Sequence, residues 1–114
     1  MKNIILIGMP GAGKSTVGVL LAKSMGYDFV DADLVIQKQQ GTKLQDIIDE
    51  RGLDGFKQAE EQALLSISDK KAVIATGGSA VFSTAGMEHL RENGICVYLR
   101  VDEQELIRRL TNIK

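Results

Sequence analysis

At 114 residues the chain has the length of one domain, and 44% hydrophobic against 25% charged residues is enough apolar material for a packed core. A formal net charge of −1 with no long basic run argues against a nucleic-acid or membrane-surface binder. The one cysteine, Cys96, allows no disulfide within the chain and reads as a buried strand thiol in an apolar run, no segment has membrane-spanning length, and the chain opens directly on a strand-like run, so a cytoplasmic protein without a cleavable signal peptide is expected.

In chain order, Ile4-Ile5-Leu6-Ile7 is an apolar, mostly β-branched run of strand length. Gly8-Met9-Pro10-Gly11-Ala12-Gly13-Lys14-Ser15 follows and fits G-x-x-x-x-G-K-[ST] at every fixed position. Thr16 to Lys23 then shows helical apolar spacing, so the motif has the strand–loop–helix setting it requires. Glycines let backbone N–H groups approach phosphate oxygens, and the helix N-terminus adds unpaired donors and a positive dipole end. Lys14 can reach the β- and γ-phosphates, and the Ser15 hydroxyl can ligate Mg²⁺. The pattern predicts a nucleoside triphosphate site over Gly11, Ala12, Gly13, Lys14, Ser15 and Thr16, with ATP and Mg²⁺ as cofactors.

Gly26 is a helix stop, and Tyr27 to Asp31 reads as the second strand. A short helix is expected from Asp33 to Gln40, closed by Gly41, and a second from a Thr42 cap through Leu44, Ile47 and Ile48 to about Gly52. A third spans about Leu53 to Ser68, with Phe56, Ala59, Ala63, Leu64 and Ile67 on its apolar side. Ala72-Val73-Ile74-Ala75 is a buried strand leading into Thr76-Gly77-Gly78-Ser79. Ser83 or Thr84 can cap a helix ending at Asn93-Gly94, Ile95 to Leu99 is another strand, and Asp102 caps a last helix carrying Leu106, Ile107 and Leu110. Strands that are continuously apolar and alternate with helices predict a three-layer α/β/α fold around a parallel sheet. Its strand C-terminal ends should bring the phosphate loop, Asp31, Asp33 and Gly77-Gly78-Ser79 to one crevice.

Asp31-Ala32-Asp33 sits where a strand gives way to a helix, and alternate residues of extended chain point to opposite sides. The two carboxylates can therefore differ in task, one facing Mg²⁺ and an attacking hydroxyl, the other a polyhydroxylated acceptor. Taken alone, Asp33 is the candidate helix cap. His89 reads as a solvent-facing helix residue, Glu60 and Glu61 as a solvated pair, and Tyr27, Tyr98, Phe29 and Phe82 as packing residues.

The opening from Asn3 to Gly8, the loop GMPGAGKST, the DAD at 31–33, Gly55-Phe56 with Glu60, and ATGGS at 75–79 together resemble the shikimate kinase family, in order and spacing, over essentially the whole chain. The resemblance implies a P-loop NTPase fold with sheet order 2-3-1-4-5 and transfer of the ATP γ-phosphate to the shikimate 3-hydroxyl. It implies that Lys14 and Asp31 are catalytic, with Asp31 as magnesium ligand beside Ser15 and as proton acceptor. Asp33, Lys57, Gly77, Gly78 and Ser79 would meet the substrate, and Glu60 would hold a neighbouring substrate-binding residue. A monomer acting on a small molecule is expected. The chain departs from the family at Lys57, where the pattern has arginine, and at Ser79, where it has a third glycine. The family's lid, fifth strand and adenine-contacting segment would fall after Lys114, so the chain is expected to be a C-terminally incomplete kinase domain with weak nucleotide binding and slow transfer. A kinase for another small polyol or nucleotide, and a non-catalytic nucleotide-binding module, remain open at this level.

Overall fold

The computed structural model describes residues 2–8 and 13–99. Strands β1 (Asn3–Gly8), β2 (Asp28–Asp31), β3 (Ala72–Ala75) and β4 (Gly94–Leu99) form one sheet in the order β2-β3-β1-β4, and every pairing is parallel. This is the order expected for the first four strands. Helices α1 (Lys14–Met25), α2 (Ala32–Gln40), α3 (Leu44–Ser66) and α4 (Thr84–Arg91) lie between the strands.

The apolar strands feed two layers. Val73 and Leu6 pack with Val17 and Ala22 of α1, whereas Ile5, Ala72 and Ile74 pack with Leu64, Met87 and Leu90 of α3 and α4. Successive residues of a strand point to opposite faces, so a sheet covered on both faces needs apolar residues at every position. All four residues of β3 are buried for that reason. A third cluster, Ile36 with Ile47, Ala59 and Ala63, joins α2 to α3, and Phe56 packs against it. The buried Asn3 side chain aligns β1 with β3. Its amide donates to the Asp69 carbonyl and its oxygen accepts from the Ala72 N–H, each at 2.8 Å.

Several boundaries differ from expectation. The cap of α2 is Asp31 rather than Asp33; its Oδ1 accepts from the N–H groups of Asp33 (3.0 Å) and Leu34 (3.4 Å). Thr42 does not cap α3. Lys43 occupies that position in extended conformation without a side-chain bond, and the Thr42 hydroxyl donates instead to Asp46. The two helices expected on either side of Gly52 form one run broken there, where φ of 72° and ψ of −177° interrupt the helical backbone. Ser83 caps α4 as expected, through the Gly86 N–H, but the helix ends at Arg91 and Gly94 opens β4. His89 is half-buried with Nε2 2.7 Å from the Ile67 carbonyl, so it ties α4 to the end of α3 rather than facing solvent. Tyr27 and Phe29 pack as expected, whereas Tyr98 and Phe82 (78% exposed) do not, and Cys96, expected to be buried, is only half-buried on β4, the outer strand of the described sheet. The helix expected after Asp102 lies outside the described residues.

Candidate active site

At the C-terminal ends of β1, β2 and β3 a cleft of about 390 Å³ is lined by Gly13, Lys14, Ser15, Thr16, Asp31, Asp33, Ala75, Thr76, Gly77 and Gly78. Of the residues singled out from the sequence, Gly13 through Thr16, Asp31, Asp33, Gly77 and Gly78 therefore meet in one place. Lys57 and Ser79 line a neighbouring cavity of about 180 Å³ together with Glu60 and Glu61. Gly11 and Ala12 lie outside the described residues. A larger apolar groove of about 630 Å³ runs beside β2 and α2, and it holds only Asp31 of the predicted set.

The phosphate side is built on the start of α1. Gly13 precedes the helix at a left-handed φ of 81°, and Lys14 and Ser15 open it. The Lys14 side chain is buried, and its ammonium donates to the Gly8 carbonyl at 2.8 Å. Burial pushes the Lys14 pKa down, and the negative charge of Asp33 partly restores it. The Ser15 hydroxyl donates to Asp31 Oδ2 at 3.4 Å, while the other Asp31 oxygen caps α2. One carboxylate thus ties the beginning of α1 to the beginning of α2. Two hard oxygen donors lie side by side at Ser15 and Asp31, which suits Mg²⁺, an ion that takes few protein ligands and completes its shell with water and phosphate. No group of three or more His, Cys, Asp or Glu is placed to hold a metal among the described residues.

The opposite side of the cleft carries buried negative charge. Asp33, in the first turn of α2, has its pKa raised by burial and then by the Asp31 carboxylate, with Lys14 opposing. Glu60 of α3 is 2% exposed, and it accepts from the Ser79 hydroxyl at 2.9 Å (Oε1) and 3.1 Å (Oε2). Burial raises the Glu60 pKa as well; the Ser79 hydrogen bond lowers it and the charge of Asp33 adds to the rise. Gly77 runs between the two carboxylates. A Cβ built there would lie 2.8 Å from Asp33 Oδ1 and 3.3 Å from Glu60 Oε2, so a side chain here would displace the Asp33 carboxylate.

One member of the site was not legible as such, and a second was legible only through the family resemblance. Thr76 is buried against the cleft, and its hydroxyl and N–H both donate to the Leu6 carbonyl, at 2.8 and 3.2 Å, which anchors the glycine turn to β1. A threonine after a strand carries no signal of that role. Glu60 is not the solvated partner of Glu61 that its residue type suggests. The approach of α3 to the turn buries it, while Glu61 accepts from Ser83.

Residues 10–114 match the family model described as shikimate kinase. The chain is 47% identical over 109 residues to the shikimate kinase of Synechococcus sp. (strain RCC307), covering 95% of this chain and 55% of that protein. It is 43% identical to the shikimate kinase of Thermodesulfovibrio yellowstonii, covering 96% of this chain and 64% of that one. Among solved structures, shikimate kinase from Acinetobacter baumannii in complex with shikimate superposes with a TM-score of 0.84 at 36% identity, over 98% of this chain and 63% of that one. The shikimate kinase of Bacteroides thetaiotaomicron gives 0.81 at 33% identity, over 99% and 65%. The chain thus spans between 55% and 64% of the length of these two curated relatives.

Proposed function

Because the chain belongs to the shikimate kinase family, we propose that it is a P-loop kinase domain, shorter than its relatives, that transfers the γ-phosphate of ATP to the 3-hydroxyl of shikimate. The observation that carries this reading is the convergence of Lys14, Ser15, Asp31, Asp33 and Gly77 on one cleft. Lys14 meets the phosphates from below. Ser15 and Asp31 would hold Mg²⁺, which supplies neutralisation of phosphate charge when bound. Gly13 and Thr16 complete the nucleotide side together with Gly11 and Ala12. Shikimate lies against Gly77, Gly78 and the Ser79 backbone, with its hydroxyls on Asp33 and its carboxylate toward Lys57. The working protein is a soluble cytoplasmic monomer.

The proton of the attacking hydroxyl was expected to go to Asp31, and a specific observation favours Asp33 instead. Both Asp31 oxygens are already engaged, one by two backbone N–H groups and one by Ser15. The Asp33 carboxylate faces the same cleft, and burial pushes its pKa upward, which makes it more basic than an ordinary carboxylate. Phosphoryl transfer otherwise asks the protein for position and charge, and the cleft offers both.

Thermal-shift titration with Mg·ATP, shikimate, and both together tests the assignment. A ligand at about a hundred times its dissociation constant adds roughly 2.7 kcal/mol to stability. Shikimate stabilisation is the expected outcome. Stabilisation by ATP with none by shikimate would overturn the acceptor and leave the nucleotide site standing.

A further inference from the structure

Glu60 is a buried carboxylate, and a buried charge needs a partner. The obvious candidate is Lys57, one turn earlier on the same helix and on the wall of the same small cavity, yet Lys57 is exposed. The donor that reaches both Glu60 oxygens is the Ser79 hydroxyl, from the turn that follows β3. The bond joins residues 19 apart in sequence and fastens α3 to the glycine turn, with Glu60 Oε2 close beside the Gly77 backbone.

We propose that Ser79 is a positioning residue: its hydroxyl fixes the Glu60 carboxylate against Gly77, so that α3 and the turn form one wall of the acceptor site while the Lys57 ammonium stays available for a negatively charged group of the acceptor. The proposal rests on the reading of the cleft as an acceptor site for a hydroxylated anion. An unheld carboxylate at position 60 would draw the Lys57 ammonium to itself, since the two are neighbours on one helix face. Among the described residues the groups facing Glu60 are few. Asp33 approaches from α2 as a like charge, Ser79 from the turn as the donor, and Lys57 and Glu61 share its cavity wall from α3, where Glu61 is taken by Ser83. The serine hydroxyl therefore does at this position what a cation would do elsewhere, without consuming one.

Carbon-13 carboxyl NMR titration of Glu60 tests this without any ligand, and calorimetric titration of the same chain with shikimate tests its consequence. Ser79→Ala should move the Glu60 titration to higher pH, and Ser79→Thr, which keeps the hydroxyl, should restore it. Shikimate affinity should fall about tenfold in Ser79→Ala, a change of about 1.4 kcal/mol, with Mg·ATP affinity unchanged. Lys57→Met should weaken shikimate binding and leave the Glu60 titration in place. An unmoved Glu60 titration in Ser79→Ala would overturn the proposal, as would a shift in Lys57→Met as large as in Ser79→Ala. Absence of shikimate binding by the parent chain would overturn the acceptor reading, and the Glu60 titration, which needs no acceptor, would then decide the positioning by itself.

Discussion

On the phosphate side of the cleft the chain presents a cation and a helix N-terminus, with Lys14 folded onto the Gly8 carbonyl; on the facing side it presents two carboxylates, Asp33 and Glu60, pushed toward their neutral forms by burial. The first side is local. Its residues follow one another over a strand end and a helix start, and it is complementary to an anion that the ligand brings. The second is assembled from α2, α3 and the turn after β3, elements far apart in sequence. Its negative charge is an expense to the empty fold, and it is relieved by a ligand that donates hydrogen bonds. Groups with such shifts are concentrated at binding and catalytic sites.

The largest expected effect breaks the first side alone. Lys14→Ala should lower Mg·ATP affinity about a hundredfold, equivalent to about 2.7 kcal/mol, while the melting temperature of the ligand-free protein barely changes. The side chain is buried at a cost that its lowered pKa records, so its removal takes little from the fold. Calorimetric titration with Mg·ATP measures the loss, and a collapse of the circular dichroism spectrum would mean that Lys14 is structural.

The counterpart on the second side is Gly77→Ala. A Cβ at 2.8 Å from Asp33 Oδ1 forces the carboxylate or the turn to move. Because the displaced carboxylate is the one that meets the acceptor, shikimate affinity should fall by about tenfold, or about 1.4 kcal/mol. Mg·ATP affinity should stay within about twofold, because no phosphate-side residue touches that Cβ. Equal losses for both ligands would show that the two sides are not separable.

The contrast also explains what could be read from the sequence. The order of strands and helices was legible because Ile4 to Ile7, Ala72 to Ala75 and Ile95 to Leu99 are continuously apolar and are separated by helical spacing. The phosphate loop was legible because its meaning lies in contiguous spacing. Asp31 and Asp33 could not be told apart as caps, since both residue types cap well and the choice depends on how far β2 runs. The pairing of Asp31 with Ala75 ends the strand there and makes Asp31 the cap. From residue type alone Glu60 was illegible for a related reason, and only the family resemblance pointed to it. A Glu-Glu pair on a helix describes a solvated face until a remote turn closes over one of the two.

A smaller effect separates the two tasks of Asp31. Asp31→Ala removes the cap of α2 and should cost about 1 kcal/mol of stability, whereas Asp31→Asn keeps an acceptor for the Asp33 and Leu34 N–H groups and should cost only a few tenths. Both should weaken the dependence of ATP binding on Mg²⁺, since either removes the charge beside Ser15. Chemical denaturation and ATP titration with and without Mg²⁺ distinguish the outcomes. Equal destabilisation by the two variants would mean that the charge, rather than the hydrogen bonds, holds the start of α2.

The subtlest expectation is a slope. Asp33 and Glu60 have folded pKa values above their ordinary 3.8 and 4.5, so over that interval the folded chain holds more protons than the unfolded one. Stability therefore falls as pH rises from the ordinary carboxylate range through the raised values, and it is recovered on acidification, the reverse of what a salt-bridged carboxylate contributes. Lys14 acts at the other end. Its folded pKa lies below 10.5, so its contribution improves as pH climbs from the lowered value toward the ordinary one. Glu60→Gln, which keeps an oxygen for the Ser79 hydroxyl and cannot ionise, should flatten the acid-side slope. Asp33→Asn should flatten it further, because it also removes the like charge that raises Glu60. Denaturation midpoints of the ligand-free protein, measured from about pH 3, below the ordinary carboxylate values, upward through neutrality, provide the test. A parent slope that either variant leaves unchanged would mean that the acceptor side carries no buried charge to relieve, and the difference between the two sides of the cleft would reduce to shape.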